Sequence, residues 1–157
     1  MATAPDPLDV IEAMAAYEDA VGDLYAAFAV KFRQDDDLWH QLAAEERGHS
    51  EALRSLAGEA DELSIFLDTD RFNAGEVRVA TRRLKERTEV VAYSSVGLRE
   101  ALAEAVEIER SMVDSQVFQV FQTDTPSVVA VLDHLREQTD VHRRRLTKEL
   151  QRLDRHD

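Results

Sequence analysis

The chain has 157 residues, of which 44% are hydrophobic, so it is long enough for one compact domain and short for two. Its 32 acidic residues against 19 Lys and Arg give a formal charge of −13, which argues against binding along nucleic acid or an anionic membrane. The absence of cysteine excludes disulfides, thiolate metal sites and cysteine nucleophiles. Because no long apolar run or secretion signal is present, we expect a cytoplasmic protein.

The low Gly and Pro content predicts a mainly helical chain. A first helix is predicted to start with Asp6 as its N-cap and Pro7 in its first turn, where the missing N–H costs nothing. Its apolar stripe is interrupted by a single acid, Glu18. Acidic residues at 35–37 then suit a turn into a second helix that runs to about Gly58. We therefore expect an antiparallel hairpin over 7–58, with Glu18 opposite about residue 48.

The second helix carries Glu46 and His49 one turn apart, in the stripe where Trp39 and Leu42 indicate a buried face. An unpaired ion in an apolar core costs at least several kcal/mol, so a buried Glu46 needs a positively charged partner. Gly48 beside His49 costs a helix interior about 1 kcal/mol relative to Ala. It would allow a close helix contact or the access of a small molecule, and of the two we expect the helix contact.

Residues 59–93 are predicted to form a long crossover that contains an additional helix, capped by Asn73 and ending near Tyr93. One face of this helix is basic, and the cluster comprises Arg78, Arg82, Arg83, Lys85 and Arg87. A phosphate or partner site is one interpretation of this face. A solvated face that pairs with the acidic remainder of the molecule is the simpler one.

A second hairpin is predicted over 95–154, with Ser94 or Ser95 capping its first helix and Pro126 starting its second. Glu109 alone interrupts the apolar stripe of the first helix. Thr139 and His142 interrupt the stripe of the second. A fold point near residue 124 would place Glu109 opposite residue 139. Two such hairpins joined by a crossover predict a single all-α domain over 1–157, built as a four-helix bundle.

These interruptions place a Glu, a Glu-x-x-His, a second Glu and a His at matching depth on four helices. The arrangement resembles the ferritin-like superfamily, in particular its rubrerythrin-like di-iron carboxylate proteins. The resemblance implies a ferritin-like antiparallel bundle that binds iron as one or two ions, with manganese or zinc as alternatives. It also implies a hydrogen bond from Tyr25 near the site, and the metal ligands it assigns are Glu18, Glu46, His49, Glu109 and His142.

Thr139 departs from the family pattern, because it stands where the second Glu-x-x-His motif would have its Glu. One bridging carboxylate is therefore missing, and the neighbouring Glu137 and Asp140 lie about 100° or more away around the helix. From this we expect the half of the site formed by Glu18, Glu46 and His49 to bind metal best.

The resemblance implies redox handling of oxygen, peroxide or ferrous iron, as in an oxidoreductase of the ferroxidase or peroxidase type. It further implies a homodimer. The alternative hypothesis is a non-catalytic four-helix-bundle protein with a decayed metal site, serving assembly or partner binding. The sequence leaves both open, and Thr139 favours the second.

Overall fold

The computed structural model describes residues 6–59, 66–67, 74–114, 121–122 and 126–156, and it confirms the all-α class. Two strands of two residues each, β1 (Phe66–Leu67) and β2 (Phe121–Gln122), pair antiparallel and were not predicted from the sequence. The helices are α1 (Pro7–Lys31), α2 (Asp36–Glu59), α3 (Ala74–Val91), α4 (Leu98–Asp114) and α5 (Pro126–Asp154).

The start of α1 follows the predicted capping chemistry. The Asp6 carboxylate accepts a hydrogen bond from the backbone N–H of Leu8 at 2.9 Å, and a proline occupies the first turn. This satisfies a donor that has no partner within the helix. A short 3-10 turn over Arg33–Asp35 then leads into α2, whose first turn is acidic as expected.

Contacts between α1 and α2 show that the two helices run in opposite directions. Arg54 near the end of α2 donates hydrogen bonds to Glu12 and Asp19 of α1. Further along α1, Gly22 lies against Ala43 and Glu46 of α2. The predicted hairpin geometry is therefore observed.

Helices α4 and α5 are also antiparallel, but their register differs from the prediction. Arg99 at the start of α4 bonds to Asp154 at the end of α5, and Glu109 lies 3.6 Å from His142. Glu109 is thus level with His142, three residues beyond the predicted partner Thr139. Helix α5 begins at Pro126, as predicted.

The predicted cap of α4 is wrong. The helix begins at Leu98, and Ser94 instead belongs to the end of α3, where its hydroxyl donates to the carbonyl oxygen of Val91. The predicted N-cap of α3, Asn73, lies outside the described residues. Helix α3 packs on α1, and Lys31 at the end of α1 donates to the Ser94 carbonyl at 2.8 Å.

The basic face of α3 is largely solvated, as its simpler interpretation predicts. Arg87 makes a two-pronged ion pair with Glu104 of α4, with its shortest N–O distance at 3.0 Å. Arg78, Arg82 and Arg83 are exposed.

The apolar core consists of two clusters separated along the helices. In α1, the first cluster takes Ala20 to Ala29 and the second takes Val10 to Ala15, so Glu18 lies between them. In α2, α4 and α5 the buried polar residues also lie between members of the first cluster and members of the second. The fold therefore holds one polar layer between two apolar layers, at the depth predicted from the sequence.

In the part of the chain that the structure describes, none of the helices has the length and apolar character needed to cross a membrane.

Candidate metal centre

The polar layer is closed to solvent. Side chains from α1, α2, α4 and α5 meet in it, and each is at most 5% exposed. Its members are the seven residues singled out in the sequence: Glu18, Tyr25, Glu46, His49, Glu109, Thr139 and His142. Four helices must each supply a buried polar residue to build such a layer, which is an unusual use of core positions.

Glu46 lies at the centre of the layer, between two imidazoles. His49 donates from Nδ1 to Oε2 of Glu46 at 3.3 Å, and His142 donates from Nδ1 to Oε1 at 2.8 Å. The two imidazole rings stack with centroids 5.3 Å apart. One ligand atom from each of Glu46, His49 and His142 lies within 4.8 Å of the others, close to the spread that a single transition-metal ion tolerates.

Glu18 is buried beside Glu46, and neither of its carboxylate oxygens has a hydrogen-bond partner when both carboxyls are ionised. Burial raises the pKa of Glu18 well above its ordinary value, and the negative charge of Glu46 raises it further. A proton on Glu18 would allow it to donate to Glu46, which satisfies the pair without a cation. Burial also opposes ionisation of Glu46, but its hydrogen bonds from His142 and His49 outweigh this and lower its pKa to about 2.

Glu109 completes the layer from α4. The Tyr25 hydroxyl donates to Oε1 of Glu109 at 2.7 Å, whereas Oε2 has no partner. Burial and the charge of Glu46 raise the pKa of Glu109 to about 7, against the opposing effects of His142, which lies 3.6 Å away, and of the Tyr25 hydrogen bond. Burial disfavours a charged His142, yet the neighbouring carboxylates of Glu109 and Glu46 raise its pKa to about 10.

Sequence reasoning missed Glu45. Its Oε2 accepts a hydrogen bond from Nε2 of His142 at 2.6 Å, although its side chain is 41% exposed. Glu45 lies off the apolar stripe of α2, and the only signal for it is that it directly precedes Glu46. Both ring nitrogens of His142 therefore face a carboxylate of α2.

Thr139 adds no carboxylate to the layer, and its hydroxyl donates to the Leu135 carbonyl of its own helix at 2.9 Å. Asp140 does not replace the missing Glu. It pairs instead with Arg143 and Arg144 at the surface, and the Arg143 hydrogen bond is the main cause of its lowered pKa.

The grouping of donors differs from the one expected. The sequence favoured Glu18 with Glu46 and His49, whereas among the described residues the three converging donors are Glu46, His49 and His142. His142 belongs to this group because its Nδ1 lies 2.8 Å from Oε1 of Glu46.

The close helix contact lies at Gly22 and not at Gly48. A Cβ at Gly48 would meet nothing within 4 Å, so the expected packing role of this glycine is wrong. A Cβ at Gly22 would lie 3.3 Å from both the Ala43 carbonyl oxygen and the Glu46 Cβ.

Together these features define an all-α protein with a buried carboxylate and imidazole layer contributed by four helices. Comparisons with models of known protein families, with curated proteins and with solved structures give no match. The resemblance to the ferritin-like superfamily therefore stays a prediction.

Proposed function

We propose that this chain is a metal-binding protein of the ferritin-like type, whose four-helix bundle holds a transition-metal ion in its polar layer. The observation that carries the proposal is the convergence of Glu46, His49 and His142 donor atoms within 4.8 Å in a fully buried position. Carboxylate and imidazole together are the ligand types that suit iron, manganese and zinc.

The charge of the layer supports a cation as its natural occupant. Three carboxyls are buried together, and three of their oxygens, two on Glu18 and one on Glu109, have no hydrogen-bond partner. Buried polar groups are nearly always partnered in folded proteins, and these oxygens are of the type that can coordinate a cation. Without metal, the layer has only protons to neutralise its acids, which agrees with the raised pKa values of Glu18 and Glu109.

One ion is better supported than two. His49, His142 and Glu46 form a set of two imidazoles and one carboxylate, which is typical of non-haem iron sites with open positions. Glu18 and Glu109 lie close enough to Glu46 to interact with it, and they could fill remaining positions. A second ion would need more anionic oxygen than the layer offers, since Thr139 supplies none.

Bound iron would supply redox chemistry toward oxygen, peroxide or further ferrous iron, which is the basis for an oxidoreductase of the ferroxidase or peroxidase type. The contribution of the chain is to orient its donors and to exclude water. Tyr25 fixes the orientation of Glu109 through its 2.7 Å hydrogen bond, and the two apolar clusters close the layer above and below. We further propose a homodimer, by analogy with the same superfamily.

The alternative is a helical bundle whose metal site has decayed and which serves assembly or partner binding. One observation favours it: Glu46 already accepts hydrogen bonds from both His49 and His142, so its charge is satisfied without metal. In that case the layer would be structural, and the raised pKa values of Glu18 and Glu109 would reflect burial and the charge of Glu46 alone.

Metal analysis separates the two proposals. We expect protein purified without added metal to contain a transition metal, or to take up one equivalent of ferrous iron or Co²⁺ under anaerobic conditions. Glu46→Ala should abolish uptake. Glu51→Ala removes the same charge from an exposed position of α2 and should leave uptake unchanged. Absence of metal in the wild-type protein under both conditions would leave the structural alternative.

A further inference from the structure

We propose that Glu45 is a positioning residue for His142, holding the ring so that Nδ1 faces the buried donors while Nε2–H faces Glu45. The inference rests on the proposed metal site and extends it to a residue outside the apolar stripe. Both ring nitrogens are engaged, with Nδ1 at 2.8 Å from Glu46 and Nε2 at 2.6 Å from Glu45.

The protonation of the ring follows from this geometry. A carboxylate can only accept a hydrogen bond, so the nitrogen facing Glu45 carries a proton. When a metal displaces the proton on the other nitrogen, Nδ1 is the atom with a free lone pair. Carboxylates that accept from the outer nitrogen of a ligating His fix its tautomer and raise its basicity.

The position of Glu45 depends on its place in α2. Consecutive helical residues point about 100° apart, so Glu45 and Glu46 can flank the His142 ring from two directions. The other oxygen of Glu45 lies 3.8 Å from the Arg145 guanidinium, and Arg145 also donates to Gln41. Helix α5 thus supplies both the ring and the cation that restrains the outer carboxylate.

The contact also bears on the missing bridging carboxylate. With Thr139 bonded to its own helix, His142 has no acidic neighbour on its own helix within the layer. Glu45 places a negative charge against the same ring from outside the layer. Glu45 therefore makes His142 a stronger metal ligand. It adds no buried charge, since the Glu45 carboxylate reaches solvent.

Metal titration of a graded series tests the role. Competition titrations with Co²⁺ would compare the wild-type protein with Glu45→Gln, Glu45→Ala and the charge-matched control Glu51→Ala. We expect Glu45→Ala to weaken Co²⁺ binding by about 10- to 100-fold. Glu45→Gln should lose less, because its amide oxygen still accepts from Nε2–H. The control should bind as the wild-type protein does.

Nitrogen-15 NMR of the imidazoles gives a readout that a purely structural role would not move. In the Zn²⁺-loaded wild-type protein, His142 should carry its proton on Nε2 and coordinate through Nδ1. In the metal-free protein, the Nε2–H signal should exchange slowly, and Glu45→Ala should abolish that protection.

The outcomes separate the two proposals. A wild-type protein that binds no Co²⁺ or Zn²⁺ would sink the proposed function, whether or not the metal-free NMR shows the contact between His142 and Glu45. Tight wild-type binding with no difference between Glu45→Ala and Glu51→Ala would overturn the positioning role alone. If circular dichroism shows that Glu45→Ala does not fold, the more conservative Glu45→Gln variant is the test. Weaker Co²⁺ binding by Glu45→Gln than by Glu51→Ala would then support the positioning role, and equal binding would overturn it.

Discussion

Gly22 of α1 lies directly against Glu46 of α2, at the level of the polar layer. A Cβ at position 22 would be 3.3 Å from the Glu46 Cβ and equally close to the Ala43 carbonyl oxygen. Glycine is thus what lets the two helices approach at the point where the central carboxylate enters the core. The spacing of α1 and α2 sets the position of Glu46 relative to the imidazoles.

Substituting Gly22 should therefore affect both stability and metal binding. In Gly22→Ala, Ala43 or Glu46 must give way by a few tenths of an ångström to the added methyl group, and overpacking of about 1–3 kcal/mol should outweigh a gain in helix propensity of up to about 1 kcal/mol. Metal affinity should fall with it. Gly48→Ala is the matched control, because position 48 is open and the change should stabilise α2 by up to about 1 kcal/mol. Denaturant unfolding and Co²⁺ titration of both variants provide the measurement; equal behaviour would contradict the close contact.

Neutralising Glu18 should have opposite effects on the metal-free and metal-loaded protein. Burial beside Glu46 makes the folded protein keep a proton on Glu18 that the unfolded chain releases, and Glu18→Gln removes this cost, so the metal-free protein should melt at a higher temperature than wild type at neutral pH. The increase in melting temperature produced by metal should shrink, because a ligand oxygen is lost. Asp23→Asn makes the same charge change at an exposed position of α1 and should alter neither value appreciably. Melting curves with and without Co²⁺ test this, and a Glu18→Gln protein that is less stable without metal would refute it.

The stability of the metal-free protein should decrease as the pH rises from 5.5 to 8. The pKa of Glu109 is raised from 4.5 to about 7, so the folded protein holds this proton more tightly than the unfolded chain between these two pH values. The pKa of His142, raised from 6.5 to about 10, acts in the same direction above pH 6.5. We expect the free energy of unfolding to fall by an amount on the order of a few kcal/mol.

Urea unfolding at several pH values, in buffer treated with chelator, would measure this dependence. Glu109→Gln is the control, since it removes one titrating group and should flatten the profile between pH 5 and 7. The lowered pKa of Glu46 has the opposite sign and matters only below pH 4.5. A wild-type profile no steeper than that of Glu109→Gln would contradict the assigned direction for Glu109.

The depth of the polar layer was predictable from the sequence because helical periodicity is local. Each helix carries its polar interruption at a fixed distance from a turn, so Glu18 and Glu46 could be matched across a short connection. The partner of Glu109 was predicted three residues away from His142, because the start of α5 at Pro126 does not by itself fix which side chains of two antiparallel helices meet. An error of one helical turn changes which side chains meet.

The roles of Glu45 and Gly22 could not be predicted from the helical periodicity of the sequence. Glu45 lies off the apolar stripe and acts through a contact with a residue 97 positions away, which no local pattern reports. Gly22 is one of five glycines, and the sequence does not show which of them faces another helix. Both features depend on tertiary packing, which the sequence of a single helix does not reveal.

Restoring a carboxylate at position 139 tests whether the layer is limited to one ion by its missing acid. In Thr139→Glu, the new side chain would enter the buried layer beside His142 and rebuild the second Glu-x-x-His motif. We expect the metal-free protein to lose several kcal/mol of stability, because a further acid is buried among three others. We also expect the number of bound Co²⁺ or ferrous ions to rise from one to two, measured by anaerobic titration and elemental analysis. Thr139→Gln is the control of the same shape without the charge, and it should keep the wild-type number of ions. A Thr139→Glu protein that folds in the presence of metal but still binds one ion would show that the spacing of the helices, and not the absent carboxylate, limits the site.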